Sequence, residues 1–425
     1  MAATDEQSAR PHVAVVGAGI VGVATSIWLR RAGARVTLID REGPATGTSY
    51  GNAGILAAAS VAPVTVPGLL AKAPGMLFDP MKPLFLRWSY LPRLAPWLRR
   101  YLAHGNEKAV ERISHGLTEL LGDTVDQHIS LAAGTDAARF VKPVDYLYGY
   151  DSRADHDADS YSWSLRARRG FAFEEMDAAA IAAFDPALKG RFGFAVRCPG
   201  HGMISDPGAY VRALHAHLVD IGGQSLTATV SDIRVEQGRA TGVVTDAGVI
   251  AADEVALTAG AWSGPIAKRL GVTMPLETER GYHVEFVDPS IELRAPVMVA
   301  SGKFVATPME GRLRCAGVVE FGGLDAPPSE APFRMVEKKA RALFPDLEYS
   351  ETRRWMGHRP ATTDSLPVIG RAPAAINVWL GYGHQHVGLT GGPKTGRWLA
   401  SLICGERLNV DLAPFAPDRA AVVKT

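Results

Sequence analysis

Gly17-Ala18-Gly19-Ile20-Val21-Gly22 sets three glycines in the spacing of a dinucleotide-binding turn. Such glycines allow a tight turn, close approach of backbone to a pyrophosphate, and close packing of helix on strand. Free N–H groups at the start of the following helix, at Ile20 and Val21, suit that anion. Asp40 lies 21 residues after Gly19, where a carboxylate can hold ribose hydroxyls. A merely tight strand-to-helix turn would explain the glycines, but neither Asp40 nor its distance. Metal chemistry has less behind it. His384 and His386 have no obvious third ligand, and Cys198, Cys315 and Cys404 stand far apart.

The elements that must hold this turn are legible around it. HVAVV at 12–16 reads as a buried parallel strand. Ile20, Val23, Ala24, Ile27 and Trp28 repeat with helical spacing, Gly33 breaks the pattern, and 36–40 is a second strand. Together they predict a βαβ unit. The stretch 72–133 reads as mainly helical, with proline interruptions up to Pro96, and 141–150 and 191–197 read as strands. Asp206-Pro207 opens a helix carrying Tyr210, Val211, Leu214, Leu218 and Ile221, which Gly222 stops. A strand is expected at 255–257, and helices at 333–344 and just before Gly405.

The chain has 425 residues, 47% hydrophobic and 21% charged, enough for two or three compact units and unlike a disordered protein. Lys and Arg number 45 against 44 Asp and Glu, so no basic excess favours nucleic acid. A polar N-terminus and the cysteine usage predict a cytoplasmic protein. The uncharged stretch 43–71 is long enough to span a bilayer, but its prolines, glycines and small residues argue against a helix there. Residues 69–102 mix Leu, Phe and Trp with six basic residues and are expected either to cover a core or to rest peripherally on the inner membrane.

The segment after the second strand points to one kind of dinucleotide. Arg41, Gly47-Thr48-Ser49 and Gly51-Asn52-Ala53-Gly54-Ile55 resemble the D-amino-acid dehydrogenase branch of the FAD-dependent amino-acid oxidoreductases, the superfamily of glycine oxidase and D-amino-acid oxidase. In that family such a segment runs along the pyrophosphate toward the flavin ring. Val255 to Ser263, with Thr258, Gly260 and Trp262, resembles the family's second FAD signature. Val230 matches a valine whose backbone meets the adenine. Gly357 to Asp364 with Leu366 to Gly370 resembles the family's GxRPxTPDxxPxIG block, Thr363 standing for its usual proline. The resemblance makes Arg359 the anchor of a substrate carboxylate, a task that suits a planar guanidinium. Arg280-Gly281-Tyr282-His283 resembles a segment facing the flavin, so Tyr282 is expected to assist Arg359 or to shape the pocket. Gly381 to Thr390 resembles the closing segment, with His384 as its motif histidine and Gly383, Gly388, Leu389 and Thr390 near the flavin's pyrimidine edge. His386 and His201 are weaker choices for the same pocket. No cysteine lies in the Arg359 block, where sarcosine oxidases place their flavin link, so FAD is expected to be non-covalent.

The resemblance runs from His12 to about Phe415 and implies an α/β fold with two domains. A Rossmann-like, GR2-type FAD domain would come from 11–60, 195–265 and 355–415. An α+β substrate domain would come from 61–194 and 266–354. The implied activity, in amino-acid catabolism, is oxidative deamination of a D-amino acid to the 2-oxo acid and ammonia, with electrons passed to a quinone or another carrier. Alternatives are oxidation of a secondary amine such as D-proline, hydroxyproline or sarcosine, or a non-catalytic FAD-binding subunit.

Overall fold

A computed structural model describes residues 10–67 and 84–419. Part of the basic apolar segment, 69–83, lies outside the described residues. The strands His12–Val16 and Arg35–Asp40 and the helix Ile20–Arg31 between them form as their apolar patterns predict. Alternate strand residues feed two cores: Val13, Val15 and Leu38 pack under the helix, and Ala14, Val16 and Ile39 pack on the other side. A strand buried on both faces has no side for polar residues, which is why these runs are continuously apolar.

The sheet runs Gln224–Thr227, Arg35–Asp40, His12–Val16, Glu254–Leu257, Val378–Tyr382 and Val368–Arg371, with only the last strand antiparallel to its neighbour. Helices Pro207–Asp220 and Gly388–Ile403 lie beside Ile20–Arg31. Gly396 lets two of them touch: a Cβ there would sit 2.6 Å from the Thr25 nitrogen. A three-stranded meander, Val230–Glu236, Arg239–Thr245 and Gly248–Ala251, covers the other face with the helix Ser263–Arg269.

A second, mixed sheet of nine strands stands against this layer. Next to its edge strand, Glu351–Thr362, runs the long strand Leu276–Val287, paired on its other side with Arg312–Phe321. Helix Glu330–Leu343 covers one face through Phe333 and Val336, which join Tyr282, Val284 and Phe286. Helix Leu91–Ala103 lies over the opposite face, with Leu94, Trp97 and Tyr101 buried against Phe321 and Ala361.

The domains interleave more finely than the expected boundaries. Glu351–Thr362 and Phe194–Cys198, each expected for the greater part in the FAD domain, are strands of the second sheet. Conversely, helices Glu107–Leu121 and Thr124–Ala132 bury Ile113, Leu117, Leu120 and Leu131 in one core with Ile20, Leu389 and Trp398. An amphipathic pattern specifies an apolar stripe, not which neighbour will cover it.

Candidate functional site

Close backbone contact shapes the glycine turn. Gly17 has φ +103°, and a Cβ on it would lie 2.7 Å from the Thr258 carbonyl oxygen. At Gly22 the corresponding atom would lie 1.8 Å from the Gly17 oxygen, so only glycine closes this turn. Asp40 draws the turn toward the second strand. One carboxylate oxygen accepts from the Ala18 N–H at 2.8 Å, and the other from Glu42 and Gly43 at 2.9 and 3.1 Å. The Ile20 N–H, first of its helix, donates to Ser49 Oγ at 3.0 Å. Ala228 donates to the Asp40 carbonyl, which brings the chain leading to Val230 alongside.

Residues distant in sequence meet along one line from this turn. The Arg41 guanidinium lies 3.9 Å from the Trp262 ring, and Trp262 meets His358 edge-on at 5.5 Å. Thr48 donates to the His358 carbonyl at 2.7 Å, and Thr258 to that of Val16 at 2.8 Å, just before Gly260. Asn52 accepts from the Gly54 N–H at 2.9 Å. Thr390 donates to the Ile55 carbonyl at 3.1 Å, so the start of helix Gly388–Ile403 closes on the 48–55 segment just after Gly383. His128, which nothing in its sequence context marks, donates to the Leu389 carbonyl at 3.0 Å and accepts from Tyr210 at 2.8 Å. Burial pushes His128 down to about 4, so it stays neutral. A bare glycine turn at a helix start, a carboxylate one strand away and a run of small residues leading to a second helix start fit an extended dinucleotide such as FAD.

The far end of this line opens onto the second sheet. Glu279, Gly281, His283 and Glu285 alternate onto one face of their strand, opposite Arg359, Gly357, Trp355 and Arg353. The Arg359 guanidinium leans over Gly281, where a Cβ would lie 2.4 Å from it. Trp355 leans likewise over Gly51 and Gly357, and stacks on His283 at 5.2 Å. His283 in turn donates to the Gly51 carbonyl at 3.0 Å. Buried Arg314 binds Glu285 at 2.7 Å and donates to the carbonyls of Tyr50 and Asn52, which ties the sheet to the flavin-side segment. His386 is exposed, and desolvation by the protein beside it, with Arg359 adding its charge, pushes it down to about 4.

Two expected active-site residues lie elsewhere. Tyr282 is on the other face of the strand from Arg359, stacked edge-on against Phe333, and it donates to Glu320 at 2.5 Å. Strand alternation puts its neighbours Gly281 and His283 on the cavity side instead. His384 is buried, and its Nε2–H donates to Thr395 Oγ1 at 2.9 Å, whose own proton goes to the Gly391 carbonyl. Burial drives its pKa down to about 3, making it a neutral support for the helix start. His201 has both ring nitrogens engaged, by the Pro199 carbonyl and the Ala59 N–H. Glu279, His283, Arg314 and Trp355 share this face or its edge with Arg359 and were not singled out from the sequence. The signal available was period-two alternation about the strand, which needed its register against Glu351–Thr362.

Over residues 12–402 the chain matches the family model described as FAD dependent oxidoreductase. A D-amino-acid oxidase of Bradyrhizobium diazoefficiens is 39% identical over 96% of this chain and 98% of its own. A D-amino acid dehydrogenase of Rhizobium rhizogenes is 30% identical over 96% of this chain and 99% of its own. Among solved structures, a glycine oxidase from Geobacillus kaustophilus superposes with a TM-score of 0.73 at 22% identity, covering 96% of this chain and 99% of that one.

Proposed function

The chain belongs to the family of FAD dependent oxidoreductases and acts on amino acids, and within that frame we propose that it deaminates an α-amino acid of D configuration. Bound FAD supplies the hydride acceptor. The observation that carries the reading is Arg359: a half-buried guanidinium leaning over bare glycine backbone, with no side-chain hydrogen bond or ion pair among the described residues. A cation partly withdrawn from water and without a partner is a ready anchor for an anionic ligand. A carboxylate does so with two parallel hydrogen bonds.

Holding the carboxylate at Arg359 fixes how the Cα–H presents to the cofactor, which is the protein's main contribution to rate. Bare backbone at Gly281 and Gly357 makes room for the Arg359 guanidinium and the Trp355 ring, and helix Leu91–Ala103 covers the same face of the sheet with Trp97 and Tyr101. Loss of the Cα hydride and one nitrogen proton would leave an imine, which water splits into the 2-oxo acid and ammonia. Electrons then pass to a quinone or another carrier. Arg93, Arg99 and Arg100 on the exposed side of that helix support a peripheral contact with an anionic membrane. Among the described residues, no helix is long and apolar enough to cross one.

The test is an anaerobic visible spectrum of the purified protein titrated with D- and L-amino acids, including proline and hydroxyproline. Bleaching by D enantiomers of primary amines is expected. Bleaching by L enantiomers or secondary amines alone would overturn the substrate, and no bleaching would overturn the activity. Reoxidation by air or only by a quinone then separates oxidase from dehydrogenase.

A further inference from the structure

Glu279 stands directly opposite Arg359 in the register of neighbouring strands, on the face that looks into the cavity. Opposite charges so placed ordinarily pair. These do not: among the described residues no cation nitrogen comes within 4.0 Å of the Glu279 carboxylate, and it accepts no hydrogen bond, although it is only 7% exposed. Arg359 is equally without a side-chain partner among those residues, and its guanidinium turns toward Gly281 rather than toward Glu279. A buried anion and a half-buried cation therefore stand side by side on one face of the sheet, each with its bonding capacity unused.

The geometry points to a slot for a zwitterion: we propose that Glu279 binds the substrate's α-ammonium while Arg359 holds its carboxylate, and that Glu279 then takes the proton that the amine must lose. The inference rests on the proposed role of Arg359 as carboxylate anchor. In the step, an N–H bond of the ammonium breaks and an O–H bond forms on Glu279. The nitrogen lone pair so freed is the pair that the C=N bond requires when the Cα hydrogen leaves as hydride. After the product departs, Glu279 returns its proton to water.

The surroundings fit a proton acceptor. Facing Glu279 are Arg359, the hydroxyl of Tyr101, which reaches toward Gln385 and Ser365, and the carboxylate of Glu277 on its own strand; His386 lies beyond Arg359. Burial, the largest cause, pushes Glu279 up to about 7, with Arg359 opposing and Glu277 adding to it. Ser365 and Gln385 are both in the left-handed region, at φ 62° and 48°, and each keeps a buried side-chain atom unpaired. Strain of this kind gathers where a site is held ready for a ligand.

The experiment uses the FAD-loaded protein and two ligands that cannot turn over: 2-aminoisobutyrate, which has no Cα hydrogen, and isobutyrate, which has no amine. Calorimetry gives their dissociation constants from pH 6 to pH 9. Wild type should prefer the amino acid at least about tenfold at pH 8, the loss of one charge-assisted bond being of that size. Its affinity for isobutyrate should rise as pH falls through about 7 and Glu279 protonates. In Glu279→Gln both the preference and the pH dependence should vanish. In turnover, kcat/KM of wild type should rise through about 7, whereas the variant should need a free amine and keep rising to the substrate's own ammonium pKa. A Glu279→Gln protein that keeps the preference and the pH dependence overturns the proposal. If instead Arg359→Ala binds both ligands normally, the carboxylate reading itself has failed.

Discussion

On the helix-covered face of the strand Leu276–Val287, Arg280 meets Glu320 at 2.8 Å, and each is also hydrogen-bonded, to the Ala326 and Pro327 carbonyls and to Tyr282 and Ser329. On the cavity face of the same strand, Arg359 and Glu279 stand opposed without touching. Glu279, Arg280 and Glu320 are buried and Arg359 is half-buried. Only Arg280 and Glu320 are joined, although Arg280 keeps Nε and Nη1 without a hydrogen bond. Paired charge of the first kind serves the fold, because removing either partner leaves the other stranded. Unsaturated charge of the second kind costs stability in the free protein and is kept where a ligand will complete it.

The comparison breaks most sharply at its two arginine sites. Arg359→Ala should lower kcat/KM by about a hundredfold to a thousandfold, the size of a lost bidentate contact with a buried partner (about 3–4 kcal/mol). Its FAD content and denaturation midpoint should stay at or above wild type. Glu320→Gln should do the reverse. It strands Arg280, which has no exposed surface, and should cost about 3 kcal/mol in denaturant unfolding, while KM in the surviving folded protein is unchanged. Equal stability losses in both variants would show that the two faces are not built differently.

The same contrast explains what the sequence could yield. The βαβ unit, the glycine turn and Asp40 were legible because their spacing is local and physically forced. Arg359 and the small-residue blocks at 48–55, 258–262 and 383–390 were reached through a family resemblance, and their convergence depends on contacts such as Thr48 to His358 that no local pattern encodes. Tyr282 and His384 were misplaced for different reasons. Both segments match motifs, but which face of a strand Tyr282 takes depends on register, and a shift of one residue exchanges the faces; His384 sits in the turn before helix Gly388–Ile403, where its ring reaches Thr395 inside that helix. Glu279 belongs to no motif, and its place beside Arg359 follows only from the pairing of its strand with Glu351–Thr362.

Gly281 tests the cavity face more gently. A Cβ added there would fall 2.4 Å from the Arg359 guanidinium, which ends a flexible side chain and can move aside. Gly281→Ala should therefore fold and bind FAD normally but raise KM about tenfold, because an anchor displaced by a fraction of an ångström holds its carboxylate poorly. Unchanged KM would mean that Arg359 does its work from some position other than over Gly281.

Tyr282→Phe carries the smallest effect and sharpens the contrast most directly, because its ring lies one residue from Gly281 yet on the other face. The substitution removes the hydroxyl that donates to Glu320 and accepts from the Ser329 N–H at 3.1 Å. Both partners are left short of a hydrogen bond, which should cost about 1–2 kcal/mol of stability. The packing against Phe333 survives, so the sheet and its register stay in place. Since nothing on the cavity face changes, KM and kcat should remain within about twofold of wild type, within the tolerance expected for a site that the substitution does not touch. A severalfold rise in KM with no loss of stability would place the hydroxyl at the substrate after all, and would mean that the strand turns its other edge to the cavity during turnover.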